Sequence, residues 1–199
     1  VKKKYDWICA SPVETSIVLK VPMNDLKFLK KKCKSQLMID ATGSIGLESG
    51  HRFSDVATFS SCKGLFGLTG AAFIAYNTKP KNKVRSFYMD IETHINKKLT
   101  GPYHTIGSLY HVLKKHSEFK NAVKTNKLKF LKDNSKFLIY PLKNQPLLCT
   151  YSKVRYQNRK RNIIIYESRK KIIGSVVSHL GETYLKNKSK GLIQKYLLK

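Results

Sequence analysis

Arginine is the scarce cation of this 199-residue chain. Of its 39 lysines and arginines only six are arginine, at positions 52, 85, 155, 159, 161 and 169, and only 12 residues are acidic, which leaves a formal net charge of +27. Such a charge raises the question of a polyanionic partner. The shortage of arginine argues against nucleic acid, because a specific phosphate or base contact favours the planar guanidinium that pairs bidentately. Lysine scattered along a chain belongs to a solvated surface. Tyr151 to Arg161 (YSKVRYQNRKR) is the densest basic stretch with aromatics, and the one place where an anionic polymer would fit. Long apolar runs are also missing. None approaches the ~20 residues that span a bilayer, so no membrane partner is expected. The start, VKKKYDWICASP, lacks the apolar core of a signal peptide, which points to the cytoplasm. Cys9, Cys33, Cys62 and Cys149 form no Cys-x-x-Cys pair and have no histidine at zinc-site spacing, so reduced thiols and no metal are expected. No internal repeat is visible.

What is present reads as α/β. Tyr5 to Ala10 is apolar enough for a buried strand, ended by Ser11-Pro12, with Val13-Glu14-Thr15-Ser16 as a loop beyond it. From Pro22, the spacing of Met23, Leu26, Phe28 and Leu29 predicts a helix with Lys30 to Lys34 in its last turn. Gln36 to Ile39 is a further strand, so strand, helix and strand imply a right-handed crossover and a parallel pair. Asp55 to Phe59 and Ala71 to Tyr76 are the next strands, and Lys79-Pro80-Lys81-Asn82 is a turn. FYMDI (87–91) looks extended. Helical spacing from His104 to about Val123 predicts one long helix joining two lobes. Short strands follow at Phe137 to Tyr140, Leu147 to Tyr151, Ile163 to Tyr166 and Ile172 to Val177, and a lysine-rich helix from Glu182 to Leu198 closes the chain. The division is a mainly parallel large domain over 1–115 and a small α/β domain over 116–199. Val1 opens in mid-pattern, so a missing beginning is expected.

Leu37 to Asn77 holds the chemistry. Three apolar runs end at Asp40, at Ser60-Ser61-Cys62-Lys63, and after Gly64, Gly67 and Gly70. In open α/β sheets ligands sit beyond the carboxyl ends of strands, which puts Asp40 and Lys63 on one rim. A lysine amine with a carboxylate nearby suits pyridoxal 5'-phosphate. The amine condenses with the cofactor's aldehyde, the carboxylate keeps the ring nitrogen protonated, and small hydroxyls hold the phosphate. Glycines beside the lysine let the backbone pass close to the cofactor.

Asp40-Ala41-x-x-Ser44-x-Gly46, then Asp55 and Ser60-Ser61-Cys62-Lys63-Gly64-Leu65-x-Gly67-x-x-Gly70, resemble the signature of class V aminotransferases of the fold-type I pyridoxal-phosphate superfamily. Within that class the match is most similar to the 2-aminoethylphosphonate:pyruvate transaminases, over a carboxyl-terminal portion. Val13-Glu14-Thr15-Ser16 resembles the family's Glu-Thr loop, and Thr100-Gly101-Pro102-Tyr103-His104-Thr105 its threonine-proline segment before the inter-domain helix. The resemblance covers residues 5 to about 115 well and the rest loosely.

It implies a partial pyridoxal-phosphate transferase large domain followed by a small domain. Lys63 would be the cofactor-attaching and proton-moving residue. Asp40 would sit on the ring nitrogen, Thr15 near the phenolic oxygen, and Ser60 or Ser61 near the phosphate. A threonine contributed across a homodimer would be Thr100 or Thr105. Cys62 reads as packing, and His51, His104 and His179 have no triad partner in the sequence. The implied reaction moves an amino group from 2-aminoethylphosphonate, a small-molecule donor, to the 2-oxo acid pyruvate, giving phosphonoacetaldehyde and alanine. The alternatives are another small amino donor, or an inactive remnant acting as a basic binding module. The sequence departs from the family at Val176, about where an arginine would grip the substrate's anion; Arg169 or Lys170 would have to substitute. The family's front portion, with its first phosphate loop and ring-stacking side chain, has no counterpart here.

Overall fold

The computed structural model describes residues 5–78, 84–97, 100–156, 164–166 and 174–185. The predicted turn at Lys79 to Asn82, the basic residues 157–161, Ile163, Arg169, Lys170, Ile172, Ile173 and the closing helix beyond Leu185 lie outside them.

Four strands, β1 (Trp7–Ala10), β4 (Gln36–Asp40), β5 (Val56–Ser60) and β6 (Ala72–Tyr76), form one sheet in the order β1-β4-β5-β6. β1 pairs parallel with β4 and β4 parallel with β5, while β6 runs antiparallel on the edge. The crossover from β1 to β4 is helix α1 (Met23–Cys33), as its apolar spacing predicts. Pro22 stands at its start, where its missing N–H is no loss, while Asp25 in the first turn and Lys30, Lys31 and Lys32 in the last match the helix dipole. Lys34 closes it in the left-handed conformation, with φ 51°.

α1 covers one face of the sheet: Met23 and Leu26 pack with Leu37, Ile39, Ala41 and Ala57. Pairing register puts Trp7, Met38 and Ile74 on the other face, where they are exposed. Asp40 ends β4 on that open face, and Ser60 ends β5 there too, because β4 and β5 pair Asp40 with Thr58 and side chains alternate.

Five expectations need correction, three of them before the end of α4. Val13 to Ser16 is not all loop, because β2 (Val13–Glu14) and β3 (Leu19–Lys20) make a small antiparallel hairpin. FYMDI is not a strand. Met89 and Asp90 close turns onto Ser86, and the Asp90 side chain then caps α2 (Ile91–Asn96) by accepting from the Thr93 N–H at 3.1 Å. The inter-domain helix is two helices, α3 (Tyr103–Leu113) and α4 (His116–Asn134). Lys115 leaves the helical region there, with φ −118° and ψ 16°.

After α4, β7 (Cys149–Ser152), β9 (Ser175–Ser178) and β8 (Ile165–Tyr166) make a three-stranded antiparallel sheet in the order β7-β9-β8. Phe137 to Tyr140 gives only a 3₁₀ turn and a single bridge from Leu138 to Ser152, since Pro141 ends the extended run. α5 (His179–Leu185) starts three residues earlier than the sequence indicates. The main core is one continuous cluster that joins Val13, Val18 and Phe66 to Phe119, Tyr151 and Leu180. Each such side chain, fully buried, contributes about 1.5–3 kcal/mol.

Candidate functional site

Lys63 lies three residues beyond β5 in a tight loop. Its carbonyl accepts the Phe66 N–H at 3.0 Å, and the Gly67 N–H returns to the Ser61 carbonyl at 2.9 Å. Phe66 is fully buried in the left-handed region at φ 60°, an arrangement that costs a non-glycine residue about 1 kcal/mol and persists only under tight packing. Its ring is held between His116 and Phe119, at centroid distances of 5.5 and 5.4 Å.

The Lys63 amine lies 3.4 Å from the Thr15 hydroxyl oxygen, which comes from the turn between β2 and β3. Both face a cleft of about 440 Å³ between the Lys63 loop and the β7-β9-β8 sheet, whose far wall includes Leu148, Cys149, Val176 and Leu180. These four are buried and apolar, and the buried Ser178 and exposed Tyr166 complete the wall. Burial pushes the Cys149 thiol up to about 12, so it stays neutral there.

Asp40 is exposed at the end of β4. One carboxylate oxygen accepts the Thr42 N–H at 2.9 Å, which orients the group in an Asx turn. Glu14, next to Thr15, is held below the usual carboxylate range by hydrogen bonds from Ser16, with the Lys63 charge adding to the shift and that of Asp40 opposing it. Glu14 therefore sits within electrostatic reach of both.

The other predicted residues separate. Ser60 is half-buried with its hydroxyl 3.6 Å from the Cys62 sulfur. Ser61 is fully buried, and its hydroxyl donates to the Leu68 carbonyl at 2.5 Å, within the loop itself. Thr105, on α3, is buried and donates to the Thr69 carbonyl at 3.1 Å. Thr100 is exposed. Asp55 acts away from the rim: it accepts from the Leu37 N–H at 2.7 Å and pairs with Lys30 at 2.7 Å. Desolvation raises its pKa, but these hydrogen bonds outweigh it and hold the carboxyl below its ordinary value.

Sequence reasoning missed the histidine partners. His51 lies 2.8 Å from the Ser44 hydroxyl, and burial lowers its pKa. His179 is fully buried, with Nε2 2.8 Å from Thr150 Oγ1 and Nδ1 3.4 Å from Glu182. Glu182 follows at i+3 on α5 and is legible, but Thr150 is 29 residues away and only folding brings it near. This row, on β7 and α5, does not line the cleft. Among the described residues no group of histidine, cysteine, aspartate and glutamate has metal-site geometry. Among them no helix is long and apolar enough to cross a membrane.

No family model and no curated protein matches this sequence. Solved structures do. A phosphoserine aminotransferase from Cytophaga hutchinsonii superposes with a TM-score of 0.71 over 100% of this chain and 65% of its own, at 14% identity. The chain has the fold of an aminotransferase. An alanine–glyoxylate aminotransferase from Nostoc sp. gives 0.70 at 17% identity, over 98% of this chain and 62% of its own. A subgroup IV aspartate aminotransferase from Thermus thermophilus gives 0.69 at 17%, covering 98% and 66%. The chain thus spans a little under two thirds of the length of the first two neighbours. The superposition takes in both the four-stranded sheet with its antiparallel edge and the β7-β9-β8 sheet of this chain.

Proposed function

We propose that Lys63 is the cofactor-attaching lysine of a pyridoxal-phosphate-dependent aminotransferase, with residues 1–115 as part of the large domain and 116–199 as the small one. The observation that carries the reading is the Lys63 amine 3.4 Å from the Thr15 hydroxyl, facing a cleft between the lobes of an aminotransferase fold. The donor set fits the group: an amine, a turn-oriented carboxylate at the next strand end, and hydroxyls at the rim.

Bound there, pyridoxal 5'-phosphate supplies an aldehyde and an electron-accepting ring. Lys63 would hold the group through its amine and, once free, would serve as the acid-base that carries the proton of the exchange. Asp40 would keep the ring nitrogen protonated, and Thr15 would hold the phenolic oxygen. Ser60 is the better placed of the two serines for the phosphate, because the Ser61 hydroxyl already serves Leu68. Thr100, exposed, is better placed than Thr105 to reach a partner subunit in a cytoplasmic homodimer.

The donor implied by the sequence resemblance is 2-aminoethylphosphonate, with pyruvate as acceptor. A second donor class is favoured by Val176, which lies in the apolar wall facing Lys63. An anion placed against that wall meets no guanidinium among the described residues, which costs binding.

The test is to incubate the protein with pyridoxal 5'-phosphate, reduce with borohydride and locate the adduct by mass spectrometry. Attachment at Lys63 supports the reading, and its absence at saturating cofactor removes it. Alanine formed from pyruvate with 2-aminoethylphosphonate, compared with uncharged small amines, then separates the donors. Adduct formation with no turnover of any donor would mark an inactive remnant.

A further inference from the structure

We propose that His116 is a positioning residue for Lys63, acting through the backbone carbonyl of Gly64; the inference rests on the reading of Lys63 given above. His116 opens α4, directly after the break at Lys114 and Lys115. Its Nε2 lies 2.7 Å from the Gly64 carbonyl oxygen. A carbonyl only accepts, so the ring carries a proton on Nε2 and donates it. Gly64 is the residue after Lys63 and is buried, so without this donor its carbonyl would be left without a hydrogen bond from His116 in a water-poor site.

The surroundings leave the carbonyl little freedom. A Cβ on Gly64 would lie 2.0 Å from the Ile45 carbonyl oxygen, and one on Gly46 would lie 2.4 Å from the Gly64 oxygen and 2.8 Å from His116 Nε2. The segments after β4 and β5 therefore touch backbone to backbone, and the imidazole sits at the point of contact. The same ring packs edge-on against Phe66, which holds the left-handed turn of the loop. One side chain thus fixes both the carbonyl that follows Lys63 and the aromatic that sets the loop's path. Lys63 reaches Thr15 through four flexible methylenes, so the placement of its backbone decides whether the amine faces the cleft.

Because α4 belongs to the second lobe, the contact also ties the lysine loop to the helix that carries Asn126, which donates to His179, and Lys127.

The test uses His116→Phe, which keeps a ring against Phe66 and Phe119 but loses the donor, and His116→Gln, whose amide nitrogen falls near the position of Nε2. Two readouts are taken on the full chain. Hydrogen–deuterium exchange without cofactor over residues 61–70 reports the anchor. Borohydride-trapped pyridoxal 5'-phosphate at Lys63 at limiting cofactor, quantified by mass spectrometry, reports the lysine's placement. Expected are exchange about tenfold faster and trapping about tenfold lower in His116→Phe, the effect of one buried hydrogen bond, with both restored to within about threefold in His116→Gln. Unchanged exchange in His116→Phe overturns the anchor. Faster exchange with normal trapping overturns the link to Lys63. If the unaltered chain traps no cofactor, the aminotransferase reading fails and the link to Lys63 with it, while exchange still decides the Gly64 anchor.

Discussion

The Lys127 amine on α4 lies 2.7 Å from the Pro146 carbonyl oxygen and 3.0 Å from that of Gln145. The side chain reaches these carbonyls through the core and is only 7% exposed. Burial pushes its pKa down to about 8, with Glu48 pulling the other way.

This sets a pH dependence with a definite sign. Below about 8 the lysine is charged both folded and unfolded, and folding bears the full desolvation. Between about 8 and its ordinary 10.5 the folded form loses the proton that the unfolded form keeps, so stability rises with pH. Lys127→Met removes the titration, and other lysines cancel in the comparison. Measured by urea unfolding, the stability of the unaltered chain relative to Lys127→Met is expected to increase by ~1–3 kcal/mol across that window. A difference that stays flat with pH would show that the amine reaches water.

The two glycines at positions 46 and 107 are expected to respond oppositely to alanine. Gly46 sits at φ +77°, with its missing Cβ inside contact distance of Gly64 and His116. Gly46→Ala combines left-handed strain with displacement of the lysine loop, for a loss of ~2–4 kcal/mol. Gly107 lies within α3, with nothing within 4 Å of where a Cβ would stand. Gly107→Ala gains ~0.5–1 kcal/mol through helix propensity and a less free unfolded chain. Paired thermal denaturation separates them, and equal losses at both would refute the backbone contact.

How far this arrangement was legible depends on where each signal lies. The strands β1, β4 and β5 were visible because each is an apolar run stopped by polar or turn-forming residues, and the Lys63 loop was visible because it follows such a run directly. The break between α3 and α4 was hidden. Leu109, Val112, Phe119 and Val123 keep helical spacing across it and share one core, so periodicity continues where the backbone does not. No proline or glycine marks Lys114 and Lys115. The start of α2 was legible in principle, since Asp90 three residues before Thr93 is an N-cap pattern, but the aromatic run ahead of it masked the signal. The contacts of His116 with Gly64 and of His179 with Thr150 are long-range, and no local spacing encodes them.

Tyr151 offers a test of packing apart from the cleft. It lies on β7, is fully buried, and its N–H donates to Gln145 Oε1 at 3.1 Å. Its ring meets Tyr140 at 6.3 Å in an edge arrangement. The hydroxyl is buried with no hydrogen-bond partner among the described residues. Keeping such a group from water costs ~1–3 kcal/mol, whereas the ring itself contributes through burial. Tyr151→Phe retains the ring and sheds the hydroxyl, so the urea midpoint is expected to rise at unchanged slope, by the equivalent of ~1 kcal/mol. Tyr151→Ala removes the ring and is expected to lose ~3–5 kcal/mol through the cavity it leaves. A loss in Tyr151→Phe of more than ~1 kcal/mol would mean that the hydroxyl is hydrogen-bonded in the folded chain and contributes to its stability.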